Sequence, residues 1–330
     1  MSFILIFLFL ATRYNFGNDY ENYHRLFFEI NRSASPDLSG QSLSLSVEPA
    51  WILLNWIFKP FGFYAMVAAL ALFHCYAYFQ LMTRYVPRDY YWLAILLYVL
   101  NPLFLLIQLS AMRQGVAICF FLVSLKYLSK RDALRYYLCI GAATLFHTSA
   151  IVLVPVFMIS FYDGRISRTV AFVIVPLFIT GFLCCELLSS PLQDFVAGYF
   201  GRYASYRDPG EIGSGIGLCY QTVMLIGILY LATTESTTGE SSIMCKVAIL
   251  NYILIPFSMI IQIVDRMEMY FQAATLAVFP MFLCKIKRIE PRIMLTVLMI
   301  AYVGVAYYKL FYTDLWHDSY ISYKTLFSDF

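Results

Sequence analysis

The chain has 330 residues, of which 61% are hydrophobic and 13% are charged, with a formal net charge of +3. A mean hydropathy of +0.71 excludes a soluble globular protein. The net charge says little about partners, because the basic residues serve the membrane topology, and we expect no nucleic-acid partner. Continuous apolar runs of about 18 or more residues recur, each long enough to cross a bilayer as a helix. We therefore predict an all-α, polytopic transmembrane helical bundle that forms one integral-membrane domain over residues 1–330.

The predicted elements follow in chain order. Residues 1–11 are apolar but rise only about 16 Å as a helix, so the chain is expected to start partway through a transmembrane helix, with a truncated N-terminus. A polar loop over about 12–48 precedes a short amphipathic piece at 48–58. A second loop, about 189–215, is predicted to be irregular because it is rich in Gly and Pro. Full spans are predicted at about 61–83, 89–108, 111–128, 169–188, 216–233, 244–264, 267–284 and 293–312.

Lysine and arginine predict the orientation, because they accumulate in short cytoplasmic loops. The basic turns are Arg84/Arg88, Lys126/Lys130/Arg131/Arg135, Arg165/Arg168 and Lys285/Lys287/Arg288/Arg292. If all four are cytoplasmic, the segment 136–161 must begin and end on the same side. Two arms of about 12 residues, rising about 18 Å each, predict a re-entrant helical hairpin with its tip near His147. A single straight span is the alternative, and it would reverse everything that follows.

Four ionisable residues, Arg113, His147, Asp265 and Arg266, lie at or near the middle of apolar stretches. An ionisable group in hydrocarbon is costly and by default marks a substrate path or a reaction centre. With the hairpin in place, Arg113, Arg266 and both polar loops fall on the non-cytoplasmic side, and His147 points towards them. The sequence therefore predicts an extracytoplasmic polar face.

Arg113 and Arg266 are candidates for binding a phosphate. Arg113 opens a predicted span, where the helix dipole and free N–H groups add to its charge, and Gln114 beside it offers an amide donor. Arg266 is a second guanidinium on the same face. The alternatives are that Arg113 extends to the interface and that Arg266 pairs locally with Asp265.

His147, Asp19 and Glu48 are candidates for proton transfer or for orienting a substrate. An imidazole is well suited to accept and donate protons near neutral pH. Asp19 would hold a carboxylate just outside the bilayer, and Glu48 precedes the amphipathic piece, where it could favour the helix N-terminus or contact substrate hydroxyls. The alternatives are a histidine of the core and carboxylates that are simply solvated.

The sequence shows no motif of nucleotide-dependent or metal-dependent enzymes. It contains no GxGxxG, P-loop, HExxH or DxD motif, and its eight cysteines lie mostly in apolar runs without CxxC spacing. We predict no cofactor, no metal site and no disulfide framework. An activated donor is then expected to be carried by a lipid.

Two stretches resemble the EpsG family of Wzy-like polysaccharide polymerases. ATRYNFGNDYENYHRLF (11–27) resembles the family signature R-y-x-x-G-x-D-y-x-x-Y. The stretch that runs from MRQGVAICF through FHTSAIVLVPV (112–156) matches the family's longest motif almost throughout. Weaker similarities are Glu48 before its amphipathic helix, RYASY at 202–206 and the Arg-to-Tyr-Phe run at 266–271. The resemblance covers residues 11 to about 275, and family members usually carry more helix before the first motif.

The resemblance implies polymerisation of lipid-linked repeat units on the outer side of the bacterial inner membrane, in O-antigen, capsule or exopolysaccharide assembly. The substrate would be an undecaprenyl diphosphate-linked oligosaccharide, and a flippase and a chain-length regulator would be partners. The roles we expect are that Arg113 and Arg266, with Arg13, bind the donor diphosphate, and that Gln114 and Tyr203 contribute to substrate binding. His147 or Asp19 would receive the proton, and Glu48 would orient the acceptor.

Two other classes of protein remain open from the sequence. A buried histidine also suits a membrane O-acyltransferase acting on glycans, although no second polar residue pairs with it and two arginines would have no task. A flippase for lipid-linked oligosaccharides would line a path with polar residues, but no inverted repeat is evident. Acyl groups on the sugars, or unpolymerised units held on the inner side, would distinguish these alternatives from a polymerase.

Overall fold

The computed structural model describes residues 2–32, 35–39, 43, 47–106, 110–162, 165–199, 216–234, 239–258, 262–312 and 317–327. For residues 185–199, 216, 262, 263 and 317 it describes the backbone alone. The described residues are almost entirely helical, which confirms the all-α class. The short strands β1, Arg13–Tyr14, and β2, Lys324–Thr325, pair antiparallel.

The helices, in chain order, are α1 Ser2–Ala11, α2 Tyr20–Ile30, α3 Pro49–Ile57, α4 Phe63–Tyr85, α5 Tyr91–Leu100, α6 Met112–Ser129, α7 Ala133–Phe146, α8 Arg168–Tyr199, α9 Ile216–Thr234, α10 Glu240–Ser258, α11 Gln262–Gln272, α12 Thr275–Lys285, α13 Ile289–Tyr312 and α14 His317–Tyr320. Two 3-10 helices, Arg88–Tyr90 and Thr148–Phe161, complete the described elements.

Several of these helices are long and apolar enough to cross a membrane, so the chain is a multi-pass membrane protein. Within the described residues, four helices meet this test alone, namely Phe63–Tyr85, Gly217–Thr234, Glu240–Ser258 and Ile289–Tyr312. The pair Val264–Gln272 and Thr275–Lys285, bent by 48° at a short break, brings the number to five if the two helices are counted as one span. The eight full spans expected from the sequence are thus partly replaced by shorter apolar helices. The expected span at 89–108 ends as a helix at Leu100, because Asn101 precedes Pro102 and is extended.

The segment 136–161 forms the expected helical hairpin. Helix α7 and the 3-10 helix Thr148–Phe161 run antiparallel, because Tyr136 near the start of the first arm meets Phe157 near the end of the second, with ring centroids 5.3 Å apart. The Tyr136 hydroxyl donates a hydrogen bond of 2.7 Å to the Leu153 carbonyl. His147, with extended backbone angles of φ −155° and ψ 116°, forms the tip.

The two ends of the bundle differ in charge. At the basic end, which carries the four basic turns, Arg84 forms an ion pair with Glu240, and the Lys246 ammonium donates to the Tyr162 carbonyl. At the opposite end, which we call the site end, lie the start of α6 and the tip of the hairpin. Successive long helices run between these ends in alternating directions, so polar residues far apart in sequence meet at the site end.

The first polar segment has a folded core of its own. Helices α2 and α3 pack on the start of α4 around Trp51, Phe27, Phe63 and Met66, all of which are buried. Helix α2, in the region expected to be a polar loop, therefore forms a helical cap over the site end together with α3. Part of the second loop also differs from expectation, since residues 189–199 continue α8 as a helix; the remainder, 200–215, lies outside the described residues.

Chain segments from both halves of the sequence complete the turn before α2. Gly17 has φ +106°, and a Cβ at this position would lie 2.6 Å from Oγ of Ser110, so only glycine fits. Its N–H donates to the Ser319 carbonyl at 3.1 Å. Strand β2 pairs with Arg13 and Tyr14 beside this turn. The Arg13 turn is thus covered by residues 317–327, which we call the C-terminal tail.

Candidate functional site

Glu48, Arg113 and His147 meet at the site end. Oε2 of Glu48 accepts a hydrogen bond of 2.6 Å from Nη1 of Arg113, and Oε1 lies 3.2 Å from Nδ1 of His147. The side chains of Glu48 and His147 are each 11% exposed, and that of Arg113 is 24% exposed. The three groups therefore form a cluster that is largely shielded from bulk water but still open on one side.

Local structure fixes each member of this cluster. Glu48 has extended backbone angles immediately before α3, which begins at Pro49, a residue suited to a first helical position. Arg113 lies in the first turn of α6, and Ala111 at its N-cap provides no side-chain hydrogen bond. The positive end of the helix dipole therefore adds to the guanidinium charge at this point.

Both ring nitrogens of His147 are buried. Nδ1 faces Glu48 at ion-pair distance, although the ring N–H is not aligned for a straight hydrogen bond. Nε2 has no hydrogen-bond partner among the residues that the structure describes. With the proton on Nδ1, Nε2 carries the lone pair that could accept a proton.

The environment of Glu48 keeps its carboxylate ionised. Burial alone would raise the pKa, but the interaction with His147 and the charge of Arg113 outweigh burial and lower the pKa to about 2 from the ordinary value of 4.5. At neutral pH this carboxylate therefore acts as an acceptor and as a fixed negative charge, and not as a proton donor.

Helix α2 brings Asp19 and Tyr23 to the same site. The phenol of Tyr23 forms a hydrogen bond with Arg113, and the charge of Asp19 also acts on this phenol. Asp19 and Tyr23 are four positions apart, so they lie on one face of the helix. Asp19 itself is half-buried, and its side chain makes no capping hydrogen bond to the helix.

Gln114 connects α6 to α11. Its amide donates a hydrogen bond of 2.8 Å to the carbonyl oxygen of Arg266 and contacts the sulfur of Met269 at 3.4 Å. Only 4% of Gln114 is exposed, and its amide holds the backbone of α11 at Arg266 against the first turn of α6. The guanidinium of Arg266 forms no ion pair with any carboxylate in the described parts of the chain, and its charge is available to an anion.

Helix α11 and the hairpin contribute two further hydroxyl groups. Oγ of Ser149 lies 3.0 Å from the hydroxyl of Tyr270, and the charges of Glu48 and Arg266 both act on this phenol. Neither residue could be identified as a site residue from the sequence, because a single hydroxyl-bearing residue in an apolar run is common. Tyr270 could have been selected only as the residue four positions after Arg266, on the same helical face.

Arg13 lies behind the cluster and is only 4% exposed. Burial lowers the pKa of its guanidinium to about 10, against the opposing effect of Tyr20, Tyr320, Tyr323 and Tyr23. Arg13 therefore remains charged at neutral pH, and Tyr23 lies within electrostatic reach of both Arg13 and Arg113. Tyr203, the last residue expected at the site, lies outside the described residues.

The structure thus brings Glu48, Arg113 and His147 into contact, places Gln114, Arg266, Asp19 and Tyr23 around them, and sets Arg13 in a deeper layer.

Comparison of the sequence with models of known protein families gives a match to the EpsG family over residues 1–325. No curated protein matches the chain, and no solved structure matches it. Because the match covers almost the whole sequence, the chain belongs to the EpsG family.

Proposed function

We propose that this protein polymerises lipid-linked oligosaccharide repeat units at the outer face of the bacterial inner membrane, for O-antigen, capsule or exopolysaccharide assembly. Membership of the EpsG family supports a polysaccharide polymerase-like role in a membrane. The observation that carries the proposal is the Glu48–Arg113–His147 cluster at the site end, with the uncompensated charge of Arg266 beside it. This arrangement offers positive charge and a proton acceptor in one cleft.

In the proposed reaction, a hydroxyl oxygen of the acceptor sugar attacks the anomeric carbon of the donor glycan. The bond from that carbon to the undecaprenyl diphosphate oxygen breaks, and the diphosphate leaves with its electron pair. Arg113 and Arg266 stabilise the negative charge that develops on the diphosphate, as fixed positive groups do in a site shielded from water. Arg13 adds positive potential from the deeper layer.

The proton of the attacking hydroxyl is proposed to pass to Nε2 of His147. Glu48 fixes the imidazole through Nδ1, stabilises the imidazolium that forms and limits the mobility of Arg113. Asp19 is the alternative acceptor, on the opposite side of Tyr23. A flippase that delivers the lipid-linked unit and a regulator of chain length are the partners that such a reaction requires in the cell.

A polysaccharide ladder on a gel tests the proposal. Cells that lack the gene are complemented with wild type, Arg113→Ala, His147→Gln or Arg84→Ala. Arg113→Ala and His147→Gln are expected to leave only single repeat units, because each removes a group that acts in the transition state. Arg84→Ala breaks an ion pair at the basic end and is expected to retain the ladder.

Immunodetection of each variant in the membrane fraction separates loss of activity from loss of protein. A normal ladder from Arg113→Ala, at wild-type abundance, would remove Arg113 from the mechanism. A normal ladder in cells without the gene would end the polymerase proposal.

A further inference from the structure

A cavity lined by apolar residues and a few polar groups lies on the other side of helix α11. Its volume is about 350 Å³, and it is bordered by α5, α9, α10, α11, α12 and α13 and by residues 101–104. The residues that line it do not include Glu48, Arg113 or His147. Since ligand pockets of proteins commonly measure about 300–1,000 Å³, this cavity has the size of a small-molecule site.

Helix α11 separates the two sites by its own geometry. Tyr270 faces Ser149, and Arg266, four positions before it, lies on the same face of the helix. A residue two positions after Arg266 points to the opposite side of the helix, and Glu268 lines the cavity there. One short helix therefore carries Arg266 on the face of Tyr270 and presents the carboxyl group of Glu268 and the amide of Gln272 to the cavity.

The polar groups of the cavity are matched to hydroxyl groups. Glu268 accepts a hydrogen bond of 2.6 Å from Ser258 and has further acceptor capacity. Asn251 is 2% exposed, and its Oδ1 accepts no hydrogen bond from the described residues. A buried acceptor left without a donor costs free energy, so Asn251 requires a donor that a ligand could supply. The amides of Gln221 and Gln272 line the same cavity and can both donate and accept.

The remaining wall is largely apolar and includes three tyrosine rings. Tyr252 is buried, and the rings of Tyr220 and Tyr302 stack on one another. Aromatic faces beside amide and carboxyl groups suit the apolar faces and the hydroxyl edges of a sugar ring. Lys309 also lines the cavity, and its ammonium group is a further donor that suits a hydroxyl oxygen.

We propose that this cavity is a carbohydrate subsite that binds one end of the oligosaccharide while the diphosphate lies at Arg113 and Arg266. The cavity lies near the site end, because the last turns of α5 and α13 and the first turns of α9 line it. The identity of the glycan rests on the proposed function. The presence of a carbohydrate site does not.

The test uses the full chain in nanodiscs and, as the probe, the free repeat-unit oligosaccharide released from the polysaccharide of the same cells. Saturation-transfer NMR with titration measures binding to wild type, Asn251→Leu, Glu268→Gln, Arg113→Ala and Arg84→Ala. Loss of one buried hydrogen bond is expected to weaken binding about tenfold in Asn251→Leu. Glu268→Gln is expected to weaken it in the same direction, and Arg84→Ala, at the basic end, is expected to bind like wild type.

Glu268→Gln keeps the shape of the cavity and therefore serves if Asn251→Leu does not fold. Failure of wild type to bind the oligosaccharide, or wild-type binding by both cavity variants, would overturn the subsite. Equal loss of binding in Arg113→Ala would place the glycan at the Arg113 cluster instead. None of these results depends on the ladder, so the subsite and the polymerase proposal can fail separately.

Discussion

Both oxygens of Glu48 are engaged, one by Arg113 and the other by His147, and the carboxylate thereby joins three segments of the chain. The backbone N–H of Thr148 also lies 3.4 Å from Oε1, at the tip of the hairpin. A charge buried with its partners is stable only while every partner is present. Substituting Glu48 should therefore disturb the positions of the His147 imidazole and the Arg113 guanidinium together.

The ionisation of Glu48 predicts a specific dependence of stability on pH. Because its pKa is lowered to about 2 in the folded protein from 4.5, its contribution is complete above about pH 4.5 and is lost as the pH falls towards 2. The shift corresponds to at most about 3 kcal/mol. The difference in melting temperature between wild type and Glu48→Gln in detergent should stay constant from neutral pH to about 4.5 and then narrow.

If the difference in melting temperature between wild type and Glu48→Gln remains unchanged down to about pH 3, the charge of Glu48 contributes nothing to stability. Asp19→Asn serves as the control, because its side chain makes no capping hydrogen bond on α2.

At this scale the sequence could identify single residues but not their partners. Arg113, His147 and Arg266 were predictable because a charged or ionisable side chain in an apolar run has a high cost that needs a reason. The expected role of Glu48 in orienting the acceptor stays a prediction, and the structure adds that its carboxylate is bound to Arg113 and faces His147. Partnership of this kind depends on contacts between residues 65 or more positions apart, which no local pattern encodes.

Among the elements, the hairpin positions the site most directly, since its tip carries His147. The second arm is a 3-10 helix with Pro155 inside it. Because proline lacks an N–H donor and a 3-10 helix has poorer hydrogen-bond geometry, this arm is stabilised by packing on α7. The Tyr136 hydrogen bond to Leu153 and the ring contact with Phe157 are the main contacts that fix its register.

Removing the Tyr136 hydroxyl should loosen the hairpin. Tyr136→Phe leaves the buried carbonyl of Leu153 without this donor and is expected to lower the free energy of unfolding by about 1–3 kcal/mol. A shorter polysaccharide ladder should accompany the loss, because His147 becomes less well positioned. Thermal unfolding and the ladder assay measure the two effects.

Tyr137→Phe is the matched control, because Tyr137 also packs on Phe157 but is 42% exposed. If both substitutions behave alike, the buried hydrogen bond does not fix the hairpin.

The elements also show where patterns in the sequence fail. The hairpin was predictable from its length and from the basic turns on both sides. The end of α5 at Leu100 and the break between α11 and α12 were not predicted, because apolar residues resume directly after Asn101-Pro102 and after Gln272. Gly and Pro around 189–199 suggested a loop, yet helix α8 extends to Tyr199.

Across the whole molecule, the C-terminal tail acts on the first turn of the chain. The Tyr320 hydroxyl contacts Ser110 and Asn18, and the Tyr323 ring stacks on Phe9 at 4.6 Å. Tyr320→Phe is expected to destabilise the Arg13 turn by about 1 kcal/mol and to reduce polymer yield. Tyr312→Phe, at a position that is 67% exposed, is the control.

Limited proteolysis of residues 12–20, followed by mass spectrometry, reports on the turn directly. Cleavage of Tyr320→Phe at the wild-type rate would show that the C-terminal tail does not stabilise the Arg13 turn.

The pairing of the tail with the Arg13 turn also bears on the order in which the protein is made. Tyr323 donates a hydrogen bond to the Phe9 carbonyl, 314 positions away. The membrane helices of a nascent chain are therefore inserted before the C-terminal tail, which covers the Arg13 turn, leaves the ribosome. Contacts of such high sequence separation form late and slowly. A stop codon that removed only the tail would thus leave a bundle already seated in the bilayer with its earliest motif uncovered.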